Sequence, residues 1–171
     1  MIPRMLRNLK SVLLSGRPNK EKVFFPVEVD TDKLVDWKEK VSSKPPENLK
    51  MEDEQRNDEL KSGTLVNVNN TEIALFKYGD RIIATESKCP HAGGPLHLGE
   101  IELFPDKSLC VRCPWYLWAF CVSENAGHSK VGSCVFPEGR RKCLRVFSTE
   151  ISENNRKHIK IGFDMTFKKS D

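Results

Sequence analysis

From Gly63 onward the chain falls into short runs of β-branched, aromatic and aliphatic residues separated by turn formers. Thr64-Leu65-Val66-Asn67-Val68 and Thr71-Glu72-Ile73-Ala74-Leu75-Phe76-Lys77 flank Asn69-Asn70, a spacing that predicts a β-hairpin. Tyr78-Gly79-Asp80 then turns the chain into a third strand, Arg81-Ile82-Ile83-Ala84-Thr85. Further strands are predicted around Ser108 to Arg112, Leu117 to Val122, Cys143 to Ile151 and Lys157 to Phe163, with an earlier one near Phe24 to Val29. The pattern is mainly β and predicts an antiparallel barrel or sandwich, with the loops on either side of Ser108–Arg112 as an inserted subdomain.

Two segments break this pattern. In the first twenty residues Ile2, Met5, Leu6, Leu9, Val12 and Leu13 recur at helical spacing, among Arg4, Arg7, Lys10, Arg17 and Lys20 and no acid. Such a basic amphipathic start has the character of a mitochondrial presequence; a short docked helix or a frayed end gives the same pattern. Residues 30 to 62 are dense in charge and carry Pro45-Pro46 in the middle, the composition of a solvated insertion. Leu34 and Trp37, three apart, are expected to pack one helical turn onto the domain. The organisation expected is a basic segment over 1–22, a first strand and charged linker over 23–62, a β domain over 63–164 and a tail over 165–171.

Composition narrows the function classes. A chain of 171 residues with 38% hydrophobic content suits one core with extensions. No apolar run approaches the roughly 20 residues of a membrane helix. The net charge of +4 is spread through a chain that is 30% charged, which does not describe a basic nucleic-acid face. No nucleotide-binding glycine motif is present, and the chain has no room for a separate catalytic domain, so an enzyme is not expected. Six cysteines without a secretory signal favour a reducing compartment over a disulfide framework, hence a cytoplasmic location, or a mitochondrial one if the basic start is a presequence.

The candidate chemistry lies in two short loops. Cys89-Pro90-His91 is followed by Gly93-Gly94-Pro95-Leu96, and the second loop reads Cys113-Pro114-Trp115-Tyr116. Cys89 and His91 face one site only if the backbone bends, and Pro90 with the Gly93-Gly94-Pro95 run supplies bending and close approach. Amides exposed by such loops can donate to sulfur. Trp115 and Trp118 either shield one side of the site or pack as ordinary core. Cys110-x-x-Cys113 with Cys89-x-His91 also makes a three-sulfur, one-nitrogen set suited to tetrahedral zinc. Against zinc, Cys110 falls on a predicted strand where residues three apart face opposite sides. His97 reads as a loop residue, His128 as a turn residue, His158 as a surface or edge residue, and Cys121, Cys134 and Cys143 as buried thiols.

Through Cys89-Pro90-His91-Ala92-Gly93-Gly94-Pro95-Leu96-His97-Leu98-Gly99-Glu100 and Cys113-Pro114-Trp115, the sequence resembles the Rieske domain family, most closely its small soluble ferredoxin-like members, over roughly residues 60 to 163. In that family a [2Fe–2S] cluster is held by two cysteines on one iron and two histidines on the other, in the form Cys-x-His and Cys-x-x-His. The resemblance therefore implies Cys89, His91 and Cys113 as metal ligands and puts Tyr116 where the last imidazole is expected. The absence of an extra cysteine in each loop resembles the low-potential branch. It implies a small electron carrier with a redox protein partner, either a reductase or an acceptor. A cluster-free interaction module and a zinc-stabilised domain of the same fold are the alternatives.

Overall fold

A computed structural model describes residues 21–42, 63–123, 129–152 and 157–164. The basic start, most of the charged insertion, His128 and the tail lie outside the described residues. The described residues form ten strands and one short α-helix: β1 (Lys22–Asp30), α1 (Trp37–Ser42), β2 (Thr64–Val68), β3 (Thr71–Tyr78), β4 (Arg81–Glu86), β5 (Glu100–Leu103), β6 (Leu109–Arg112), β7 (Ala119–Cys121), β8 (Cys134–Phe136), β9 (Val146–Ile151) and β10 (His158–Asp164).

The strands form two antiparallel sheets, a six-stranded one in the order β1-β10-β9-β4-β3-β2 and a four-stranded one in the order β5-β6-β7-β8. Contacts between β1 and β2 bring the ends of the larger sheet toward each other, so it approaches a closed barrel. The smaller sheet is inserted between β4 and β9 and carries the second loop between β6 and β7. The β2–β3 hairpin turns on Asn69 and Asn70, both at positive φ (50° and 56°), as a two-residue turn matched to strand twist requires.

Strand periodicity explains the core. On β3, Ile73 and Leu75 pack inside the larger sheet with Ile82, Ala84, Ile159 and Ile161. Ala74 and Phe76, one step out of phase, pack toward the smaller sheet with Leu109, Val111 and Phe120. An unbroken apolar run from Ile73 to Phe76 thus marks a strand buried on both faces. The same alternation on β6 sends Leu109 and Val111 into the core between the sheets, along with Cys113 just beyond the strand, while Cys110 joins Ala119 and Cys121 on the other side.

Two expectations are corrected here. Leu34 and Trp37 do not share one helical turn: Leu34 follows a 3-10 turn over Thr31–Lys33 and packs inside the larger sheet, while Trp37 opens α1 and packs between the sheets. Asp36 explains the break, since one of its carboxylate oxygens accepts from the amides of Lys38 (2.9 Å) and Gly79 (2.8 Å), fastening the start of α1 to the β3–β4 turn. Cys143 is exposed and Cys134 half-buried, because Cys143 precedes β9 and Cys134 opens β8, an edge strand of the smaller sheet.

Phe120 is fully buried where the two sheets meet. Phe120→Ala is expected to destabilise the protein by about 3–5 kcal/mol, read as a lower denaturant midpoint with unchanged slope; a loss under about 1 kcal/mol would show that the sheets are not packed through this residue.

Candidate metal centre

The two loops are built alike. In the first, the Cys89 amide donates to the Gly94 carbonyl (2.8 Å) and the Gly93 amide to the Cys89 carbonyl (2.8 Å). In the second, the Cys113 amide donates to the Trp118 carbonyl (2.8 Å) and the Leu117 amide to the Cys113 carbonyl (3.1 Å). Each cysteine therefore bonds to positions four and five residues on, and each loop places its fourth position at positive φ, Gly93 at 74° and Leu117 at 57°. Glycine takes that conformation freely, whereas leucine pays on the order of 1–2 kcal/mol.

Arg112 offsets that cost. Its guanidinium donates to both carboxylate oxygens of Glu102 (2.7 and 2.6 Å) and also to the Leu117 carbonyl (2.7 Å), bracing the second loop against β5. The Glu102 carboxylate holds the guanidinium even more firmly charged than usual. Sequence reasoning missed this brace because β5, only four residues long and partly exposed, carries no readable pattern.

The loops meet on the two cysteine side chains, both buried. Burial pushes the Cys89 thiol up to about 11, and the neighbouring Cys113 thiol pushes the same way, while the His91 and Ala92 amides donate to its sulfur and pull it down. A Cβ on Gly94 would stand 2.7 Å from the Cys113 Sγ, so only glycine leaves the sulfur its place. A pair of buried thiols with amides already aimed at one sulfur is an environment in which bound cations would favour the thiolates.

His91 supplies the second half of the site. Its Nδ1 is buried and has no hydrogen-bond partner among the described residues. An orphaned buried nitrogen is costly unless something takes its lone pair or proton. The ring stacks on Trp118, with centroids 4.1 Å apart and planes 12° apart, and meets the Tyr116 ring edge-on at 5.1 Å. Tyr116 thus stands beside His91, at the mouth of the site, with 58% of its surface exposed. Of the two tryptophans, Trp118 forms the shelf beneath His91, whereas Trp115 is 60% exposed and shields little.

The remaining candidates separate from this centre. Cys110 faces the opposite side of β6, its Sγ 3.7 Å from the Ser108 hydroxyl, and burial pushes it up to about 12. The three-sulfur, one-nitrogen zinc set is therefore not brought together. Cys121 is a core thiol paired across from Cys110. His97 lies in a 3-10 turn over Leu96–Leu98, and burial holds its imidazole below its ordinary range. His158 is exposed at the start of β10, an interior strand of the larger sheet, 3.0 Å from the Asp30 carboxylate.

Comparison with known proteins identifies what the chain and its fold are similar to. Residues 51–135 match the family model described as soluble Rieske-type ferredoxin. A human Rieske domain-containing protein is 34% identical over 74 residues, covering 42% of this chain and 46% of that protein, so the chain spans about half the length of this curated relative. Among solved structures, a Mycobacterium tuberculosis protein described as an NADH-dependent nitrite reductase small subunit superposes with a TM-score of 0.59 at 15% identity, covering 85% of this chain and 99% of that one. The ferredoxin of carbazole 1,9a-dioxygenase from Nocardioides aromaticivorans superposes with a TM-score of 0.51 at 19% identity, covering 80% and 95%. At these identities the structural likeness establishes the fold.

The burial difference among the thiols is measurable. In metal-free, reduced protein at pH 8, Cys143 should alkylate at least about tenfold faster than Cys89, which gains reactivity only as the pH climbs toward 11. Peptide mapping by mass spectrometry reads this; equal labelling of the two at pH 8 would contradict the buried thiol pair.

Proposed function

This chain belongs to the Rieske family through a domain of the soluble ferredoxin type, and on that premise we propose that it carries single electrons on a [2Fe–2S] cluster held at the meeting point of its two loops. Cys89 and Cys113 are the thiolate ligands of one iron, and His91 Nδ1 and the Tyr116 phenolate the ligands of the other. When bound, the cluster supplies a site that gains and loses one electron. The observation that carries the reading is the orphaned, buried His91 Nδ1 in the same loop pair as two buried thiols.

The residues of the chain do the rest. The His91 and Ala92 amides donate toward the Cys89 sulfur and favour its thiolate form. Trp118 fixes the plane of the His91 ring by stacking and keeps water from that side. Arg112 holds the second loop in the conformation that presents Tyr116. A phenol has a reference pKa near 10, so it ligates only after losing its proton, which a ferric ion promotes. The phenolate brings a negative charge where a neutral imidazole would bring none, which lowers the potential relative to a two-histidine centre. It also leaves one imidazole, not two, to couple reduction to protonation.

The donor and the acceptor are proteins that dock at the loop ends, and no catalytic step is assigned to this chain. The competing readings, a cluster-free interaction module and a zinc-bound domain, predict different metal contents.

Iron, zinc and acid-labile sulfide should be measured on chain expressed anaerobically with iron and sulfide supplied. Two irons and two sulfides per chain are expected; one zinc, or no metal, would refute the proposal. Tyr116→His should then raise the midpoint potential toward the roughly −150 to +300 mV span of two-histidine centres, and Tyr116→Phe should lose iron faster than the unaltered chain. A Tyr116→Phe protein with unchanged retention and visible spectrum would remove Tyr116 from the ligand set.

A further inference from the structure

We infer that the ends of the two loops form a docking face for a protein partner that rings an apolar socket with carboxylates. This inference rests on the electron-carrier reading and adds the chemistry of the partner. Leu98, Trp115, Tyr116 and Leu117 are each between 54% and 60% exposed, and all four come from the two loops or the turn that closes the first. Three of the four are consecutive, so the second loop presents a continuous apolar tip, and its Tyr116 ring touches His91 edge-on. A contiguous exposed apolar tip with Trp115 and Tyr116 in it has the character of an interface centre, where tryptophan and tyrosine are enriched.

Positive charge lies beside this tip. The Arg140 guanidinium lies 6.0 Å from the centroid of Trp118, the ring on which His91 stacks, and exposed Arg141 and Lys142 follow it. Glu138 is the acid of this stretch, which leaves residues 138–142 at net +2, three cations less one anion. None of the three cations is ion-paired to a carboxylate among the described residues. The neighbouring cations differ: Arg112 is bound to Glu102, and Lys88 lies 3.9 Å from Glu72. Among the described residues the 140–142 strip is therefore a run of cations with no ion-paired carboxylate.

An apolar tip with a basic rim is complementary to a surface of opposite charge around an apolar centre, and such pairing steers encounter and fixes orientation. A second copy of the chain would bring two basic rims together. An anionic lipid surface would satisfy both features, but it carries no redox group to exchange the proposed electron at the His91–Tyr116 edge. An acidic protein partner satisfies the charge, the apolar tip and the function together.

The test uses the full chain and two peptides of about twenty residues, one all glutamate and one with two central phenylalanines, with binding read by tryptophan fluorescence at low and high salt. Binding is expected for both at low salt and tighter for the phenylalanine peptide. R140E/R141E/K142E should weaken binding at least about tenfold, whereas K22E/K33E/K160E, the same charge change on the β1–β10 side, should change it less than about twofold. Trp115→Ala should erase most of the preference for phenylalanine. No binding by the unaltered chain, equal loss in both triple variants, or equal affinity for the two peptides would overturn the inference. So would co-sedimentation with phosphatidylserine vesicles without peptide binding. Peptide binding needs no iron, so its failure and a failure of the iron and sulfide measurement are separate results.

Discussion

The structure depends on bringing two sulfurs, Cys89 and Cys113, to one buried point from loops that lie on different parts of the chain. Neither loop could do this alone. The first hangs from β4 of the larger sheet and the second from β6 and β7 of the smaller one, so the packing of the two sheets sets the distance between them. The core between the sheets, with Phe76, Val111 and Phe120 at its centre, runs without interruption into the two cysteines. Gly94 completes the constraint, since any side chain there would meet the Cys113 sulfur.

Much of this was legible in the sequence because it rests on local rules. The hairpin through Asn69-Asn70, the strand containing Ile73 to Phe76 and the opposite facing of Cys110 and Cys113 all follow from turn chemistry and period-2 alternation. What escaped depends on contacts distant in sequence. β5 and β8 are four and three residues long and exist because they pair with β6 and β7. The Arg112 brace needs Glu102 on β5, and Arg140 reaches Trp118 only once the loop before β9 folds back. Cys143, expected inside, lies outside because its strand begins three residues later than the apolar pattern suggests.

The site itself was legible in type but not in arrangement. The spacing of Cys89, His91 and Cys113 pointed to the family whose soluble ferredoxin-type model residues 51–135 match. Spacing alone could not show that His91 would be clamped between Trp118 and Tyr116 with its Nδ1 left without a partner. That orphaned nitrogen, taken together with the motif, makes the proposed ligand set physically coherent: a tyrosine in place of the last imidazole leaves one nitrogen, two sulfurs and one oxygen around the centre.

The nitrogen count is therefore the most direct measure of the account. Pulsed electron paramagnetic resonance on the dithionite-reduced, iron-loaded chain should show one strongly coupled nitrogen, lost in His91→Ala and doubled in Tyr116→His. Two coupled nitrogens in the unaltered chain, or none, would contradict the account.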